Sequence, residues 1–414
     1  MKDREYRRLA AGAATAALVV FGLLGRAFGA DVAPVVPEAE EGADSPAGEV
    51  VTVDLDYREV GYSFINWSVP MTTRSEAFKK EPALSHGKVI RGTVRLGSPN
   101  QETAFAWDRA AGKLYLDLNR NQDLTDDPGG VFSSRTGARD YYQTFANIHL
   151  PFKTLAGARE VLVDLNFYAS EQPHCSAAMR WFWEGKLTLQ GEEWQVGLIE
   201  NRLDQSPSLE ASNLLLRRWA ERNQAFSGQL YSESSSAFAF SDKLFFGQRA
   251  YRLKRADLAQ GDKAGVRLRF AEQRPKLGEL KITGDYVHRV TMQGQPYRVV
   301  IDQPAGLVKV PTGSYSSVKV WLKKGEVEAS LDERARSSAA RITIDEKKPA
   351  VLTAGGPVTN SVSVSRHGKY LSLNYQLVGA GGAYQLANQD RSHPPEFTVY
   401  QGDKKVGSGK FEYG

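Results

Sequence analysis

Cysteine is almost missing from this 414-residue chain: Cys175 is the only one. An intramolecular disulfide is therefore excluded, and so is a disulfide-stapled small scaffold; stability must come from packing, with or without a bound ion. A lipidated cysteine near the N-terminus is excluded by the same count. The six histidines (His86, His149, His174, His288, His367, His393) show neither His-x-His nor His-Glu-x-x-His spacing, so a zinc centre is not expected. There is no Gly-x-Ser-x-Gly elbow. The glycine-rich stretch 379–382 lacks the Lys and Ser/Thr of a phosphate loop and reads as a hairpin turn. His174 precedes Cys175 directly, and adjacent side chains seldom face one another as base and nucleophile, so a catalytic thiol is not expected.

Positive charge is also absent where it would be conspicuous. Residues 31–50 contain Asp31, Glu38, Glu40, Glu41, Asp44 and Glu49 but no Lys or Arg. That composition reads as a solvated acidic linker, assigned here to 30–50. Five of the 53 basic and eight of the 48 acidic residues lie in the first 50 positions, which leaves the remainder at +8. No dense Lys/Arg stripe accompanies this mild excess, and nucleic acid is not an expected partner. Ahead of the linker come Lys2, Arg4, Arg7 and Arg8, an apolar run over 9–25, and small residues at Ala27 and Gly29. This is the pattern of a signal peptide over 1–29, cleaved after Gly29, and it predicts an extracytoplasmic protein, periplasmic or secreted. The competing reading is an uncleaved anchor, the one route by which a membrane would be involved.

From residue 51 onward the chain is dominated by period-two alternation and turn residues, as in 51–57, 89–96, 113–118 and 186–189, the pattern of antiparallel strands. The expected fold is mainly β: several antiparallel β-sandwich domains with one or few helices. The best helical candidate is 212–223, where Leu215, Leu216, Trp219 and Ala220 fall on one helical face. Three parts are expected: a larger β-rich domain over 51–272, a small β-sandwich over 273–336, and an immunoglobulin-like module over 337–414. Within the second, Val308, Pro311, Gly313 and Tyr315, followed by Val318–Leu322 in alternation, resemble the strand–turn–strand corner of transthyretin-like and PEGA-like sandwiches. That resemblance implies an accessory fold and no activity. The chain as a whole resembles exported bacterial proteins.

One segment carries site chemistry. Asp117, Asn119 and Asn121 stand at alternate positions, Asp123 follows, and Leu124 is apolar. The run resembles the calcium loop shared by EF-hands and dockerins. The resemblance implies a Ca2+ ion held by Asp117, Asn119, Asn121, the carbonyl of Asp123, and either Asp126 or Asp127, with roughly 10⁻⁴–10⁻³ M affinity. Two positions depart from the pattern: Gln122 stands where the tight turn calls for glycine, and Pro128 where a bidentate glutamate belongs. The competing reading is an Asx-rich turn that caps its own backbone.

Two other constellations bear on function. Asp54 and Asp56 share a strand face, and Asp164 sits in another strand; exposed acids are the ordinary reading of both. Trp181 and Trp183 also share a face, with Trp194 beyond, and Tyr62, Phe64 and Trp67 and the pair Tyr141-Tyr142 form further aromatic clusters. Large aromatics are usually core, but an exposed row would stack on sugar rings. The expected function is thus a non-catalytic binding or structural protein of the cell envelope, with a glycan or an envelope protein as partner. The alternative is an exported carbohydrate-binding or carbohydrate-active protein using the 51–272 domain. An exposed Trp181/Trp183 face favours the second reading and a buried pair the first.

Overall fold

The computed structural model describes residues 48–62, 65–96, 102–135, 139–200, 207–223, 236–256, 265–325, 327–331, 341–368, 370–386 and 394–411. The signal segment, most of the acidic linker, Phe64 and His393 lie outside them. The described residues are mainly β-strand, arranged in several antiparallel sheets.

One long sheet organises the rest. It runs from Ala237–Ala239 through Ser212–Arg218, Glu192–Glu200, Trp181–Leu189, Val50–Glu59, Val266–Gln273 and Arg249–Ala256 to Lys243–Phe246. It then continues through Arg298–Asp302, Val287–Gln295, Gly313–Lys324, Val327–Leu331, Gly382–Leu386 and Tyr370–Ala380 to Gly355–His367. The two halves meet where Lys243–Phe246 pairs with Arg298–Asp302, and that pairing is parallel in an otherwise antiparallel sheet. Parallel pairing needs a long crossover. Here the crossover is everything between residues 247 and 297.

Separate sheets pack on the first half. Ile65–Val69, His174–Met179, Gly157–Tyr168 and Tyr142–Thr154 form one of four strands. Met71–Arg74, Val89–Arg95, Glu102–Asp108, Lys113–Leu116 and Val131–Ser133 form a five-stranded meander in chain order. Alternation in strand 142–154, buried at every second residue from Gln143 to Thr154 apart from one bulge, shows one face on the core and one in solvent. Two cores result. The larger includes Leu55, Trp107, Phe167, Trp181, Trp183, Leu198, Leu215 and Phe270. The second includes Leu280, Val290, Val299, Tyr315, Val320 and Tyr384. In the second, the Tyr315 hydroxyl, fully buried, donates to the Pro311 carbonyl at 2.7 Å and closes the corner at 311–315.

The expected helix over 212–223 is not formed. Ser212–Arg218 is a strand, and only Trp219–Glu221 turns, as a 3-10 turn. Leu214, Leu215 and Leu216 are all fully buried, because the strand lies between Glu192–Glu200 and Ala237–Ala239 and is covered on both faces. A short apolar run buried on both sides has no alternation to reveal it, and its spacing also fits one helical face. Among the described residues the helical turns are 3-10 turns at Pro128–Gly130 and Trp219–Glu221.

One buried charge generates a pH prediction. Glu200 Oε1 accepts hydrogen bonds from the Trp183 indole at 2.7 Å and the Leu155 amide at 3.0 Å, while Oε2 has no partner among the described residues. Burial pushes the Glu200 carboxyl above the ordinary glutamate range, against those two donors and the charge of Arg255. An acid whose folded pKa is raised binds its proton more tightly folded than unfolded, so it subtracts stability as pH rises from the unfolded pKa through the folded one. Glu200→Gln should therefore be more stable than the parent at pH 8, and that advantage should shrink on going to pH 5, as measured by urea unfolding at each pH.

Candidate functional site

The loop at 117–127 leaves strand Lys113–Leu116 and returns through Pro128–Gly130 to the edge strand Val131–Ser133. Its entry is fixed by the Asp117 amide donating to the Ala104 carbonyl at 2.9 Å. Its far side is fixed by a short parallel bridge to Lys80: the Leu124 amide donates to the Lys80 carbonyl at 3.1 Å, and the Lys80 amide to that of Gln122 at 3.4 Å. Leu124 is buried with Phe78, Ala106 and Tyr115 in a small satellite core. The apolar residue at this position thus anchors the loop to the meander.

Inside the turn, two buried carboxylates organise the backbone. Asp117 is 1% exposed; its Oδ1 accepts from the Asn121 amide at 3.1 Å and its Oδ2 from the Gln122 amide at 2.9 Å. Asp127, also buried, accepts from the Leu118 amide at 3.1 Å and the Asn119 amide at 3.2 Å. Smaller Asx turns follow, Asn119 Oδ1 accepting from the Asn121 amide and Asn121 Oδ1 from the Asp123 amide at 2.7 Å. Asp126 stands at the open side, where its oxygens take the side-chain amides of Asn119 at 3.0 Å and Asn121 at 2.6 Å. Gln122, where glycine was expected, adopts the left-handed backbone with φ 66°. The sharp turn is made all the same, at a cost of order 1 kcal/mol for carrying a Cβ there.

Charge is unevenly balanced around this turn. The Lys80 ammonium pairs with Asp123 Oδ2 at 2.7 Å and, with the Thr125 hydroxyl and amide, holds the Asp123 carboxyl down to about 2. Among the described residues, no lysine or arginine forms an ion pair with Asp127. Burial first, and the charges of Asp117 and Asp126 in addition, push its carboxyl up against its two backbone donors. A hard cation would relieve that excess. Among the described residues, however, no three His, Cys, Asp or Glu side chains meet in a metal-holding group. A calcium ion here would draw on fewer carboxylates than that and on neutral amide and carbonyl oxygens.

The other sequence candidates separate cleanly. Trp181 and Trp183 are fully exposed to the core and not to solvent: both are 0% accessible, edge-on to each other at 5.8 Å and packed against Tyr57. Asp54 is exposed and clasped through both oxygens by Arg267, which holds its carboxyl below the usual range. Asp164 is buried, satisfied by Arg135 at 2.8 Å, Arg180 at 3.2 Å and the Asn147 amide at 3.0 Å in the bulge of strand Tyr142–Thr154. Cys175 is fully buried, and burial pushes its thiol far up, which leaves no thiolate for nucleophilic work. Lys80 was invisible to sequence reasoning, since it reaches the loop across a long separation that no local spacing encodes. Comparison with protein-family models, curated proteins and solved structures finds no match for this chain.

The two kinds of carboxylate in the loop should behave differently when no divalent ion is present. Asp117→Ala would orphan the Gln122 amide and leave the Asn121 amide only its bond to Asn119 Oδ1, at a cost of about 1–3 kcal/mol. Asp126→Ala, at the exposed rim, should stay within about 0.5 kcal/mol of the parent. Urea unfolding in excess chelator measures both.

Proposed function

We propose that this protein is a non-catalytic binding or structural component of the bacterial cell envelope, acting outside the cytoplasm, with a weakly held calcium ion in the loop at 117–127. Its partner on this reading is a glycan or an envelope protein. The observation that carries the reading is the division of labour in the loop. Asp117 and Asp127 spend their oxygens on shaping the turn, while Asn119, Asn121 and Asp126 gather at its open side next to uncompensated negative charge. Each carboxylate and amide oxygen keeps a further lone pair for an ion, and the neutral share of the donor set fits the weak, extracellular range of affinity. The basic, apolar and small-residue succession over 1–29 supplies the argument for export.

The alternative, a carbohydrate-active protein using an aromatic row, is disfavoured by the burial of Trp181 and Trp183 in the larger core. Aromatic rings that face other rings in a core offer no surface for a sugar to stack on.

Calorimetric titration and thermal unfolding test the ion directly. At 5 mM calcium a site of the expected affinity should stabilise the parent by about 1–2 kcal/mol relative to chelator. Asp126→Ala, which leaves the fold in place, should abolish that increment. Coincident curves for the parent with calcium and with chelator would leave the loop as a self-capped polar turn and remove the proposal.

A further inference from the structure

Away from the calcium loop, a cavity of about 540 Å3 lies beside the parallel pairing of Lys243–Phe246 with Arg298–Asp302. That volume is in the range of small-ligand sites. Three turns contribute a glutamine each to its wall: Gln190, Gln248 and Gln303. All three hold the left-handed backbone, with φ of 53°, 64° and 46°. Gln190 is followed by Gly191 and Gln248 preceded by Gly247, both also at positive φ, so each is half of a two-residue hairpin turn.

Such turns are made with least strain by Gly, Asn or Asp, and a glutamine amide is too long to bond its own backbone as asparagine does. Glutamine therefore contributes nothing to the turn that a shorter residue would not contribute better. What it adds is reach and an amide. Strained backbone of this kind gathers at ligand clamps.

The polar groups on the wall divide into engaged and free. Arg218 is ion-paired with Glu192 and Asp302, and Asp302 also with Arg289, so the two acids are balanced by two arginines. Gln248, Gln303 and Lys309 are exposed, and none of their side chains makes a hydrogen bond or ion pair among the described residues. Tyr251 is 3% exposed, and its hydroxyl has no hydrogen-bond partner among the described residues; burial pushes that hydroxyl up to about 12, so it stays a donor. Leu277 and Leu307 supply exposed apolar surface at the rim.

The geometry points to a binding site for a small polyhydroxylated molecule with one carboxylate, a sugar acid of one or two rings. An amide offers a donor and an acceptor side by side, as does a hydroxyl, and Gln248, Gln303 and Tyr251 supply that matching. Lys309 is the unpaired cation that would take the carboxylate. The C–H face of the ring would lie on the Leu277 and Leu307 surface.

Isothermal titration of the full chain with glucuronate, galacturonate and glucose tests this. A uronate should bind saturably at one site, and glucose much more weakly. Lys309→Gln should weaken uronate binding about tenfold or more, the loss of one charge-assisted contact. Gln248→Gly and Gln303→Gly should weaken it too, while their melting temperatures match or exceed the parent's because glycine relieves the left-handed backbone. Absence of saturable uronate binding, equal binding of glucose, or binding unchanged in all three variants would overturn the assignment. Cavity and calcium loop share no residue, so either result leaves the calcium reading to be decided on its own titration.

Discussion

The structure turns on one buried ionic contact, the Asp302 carboxylate gripped by two arginines. Arg289, 1% exposed, donates from Nε at 3.1 Å and from one terminal nitrogen at 2.8 Å to Oδ1; Arg218 donates from Nε to Oδ2 at 2.9 Å. The other terminal nitrogen of Arg289 donates to the Leu216 carbonyl at 3.0 Å. Burial alone would push the Asp302 carboxyl up, but the two guanidiniums outweigh it and hold it below the ordinary range. Its stabilisation is thus present at neutral pH and lost as pH falls through the lowered pKa. Arg218 in turn lies 4.2 Å over the Trp194 ring.

This contact matters because of where its members sit in the sheet. Leu216 and Arg218 belong to a strand many positions from Arg298–Asp302 along the hydrogen-bonded order, yet their groups touch. The sheet therefore curls back on itself, and Arg298 over the Phe238 ring at 5.3 Å marks the same closure. The first core is wrapped by that curl, with Val300 from the second half contributing to it. Among the described residues, the parallel pair and the Arg–Asp–Arg cluster are two of the connections that set the second core against the first. The cavity opens beside them because neither the hairpin turns nor the 303–309 segment fills the space at this junction.

How much of this was legible depends on the range of the interaction. Alternation exposed the strands Val50–Glu59 and Val89–Arg95, since each has one face in and one face out. It failed at Ser212–Arg218, which is buried on both faces. Oxygen spacing located the 117–127 loop and its buried Asp117, and Leu124 as an apolar anchor. It did not reveal that Gln122 would take the left-handed turn unaided, or that Lys80 would neutralise Asp123. The Trp181/Trp183 spacing gave a shared face and was silent on which side that face would lie. Arg218, Arg289 and Asp302 are ordinary charged residues in the sequence. Only the curl of the sheet, a property of the whole first half, makes them neighbours.

A double-mutant cycle on Arg289→Met and Asp302→Leu, read by urea unfolding at pH 7, tests the central claim most directly. If the buried pair sets the closure, Asp302→Leu leaves Arg289 buried without its carboxylate and costs about 3–5 kcal/mol, Arg289→Met leaves Asp302 held by Arg218 alone and costs less, and the two changes together cost much less than the sum. If the single costs are small and add within about 0.5 kcal/mol, the two side chains are independent, and the curl of the sheet must be held by packing alone.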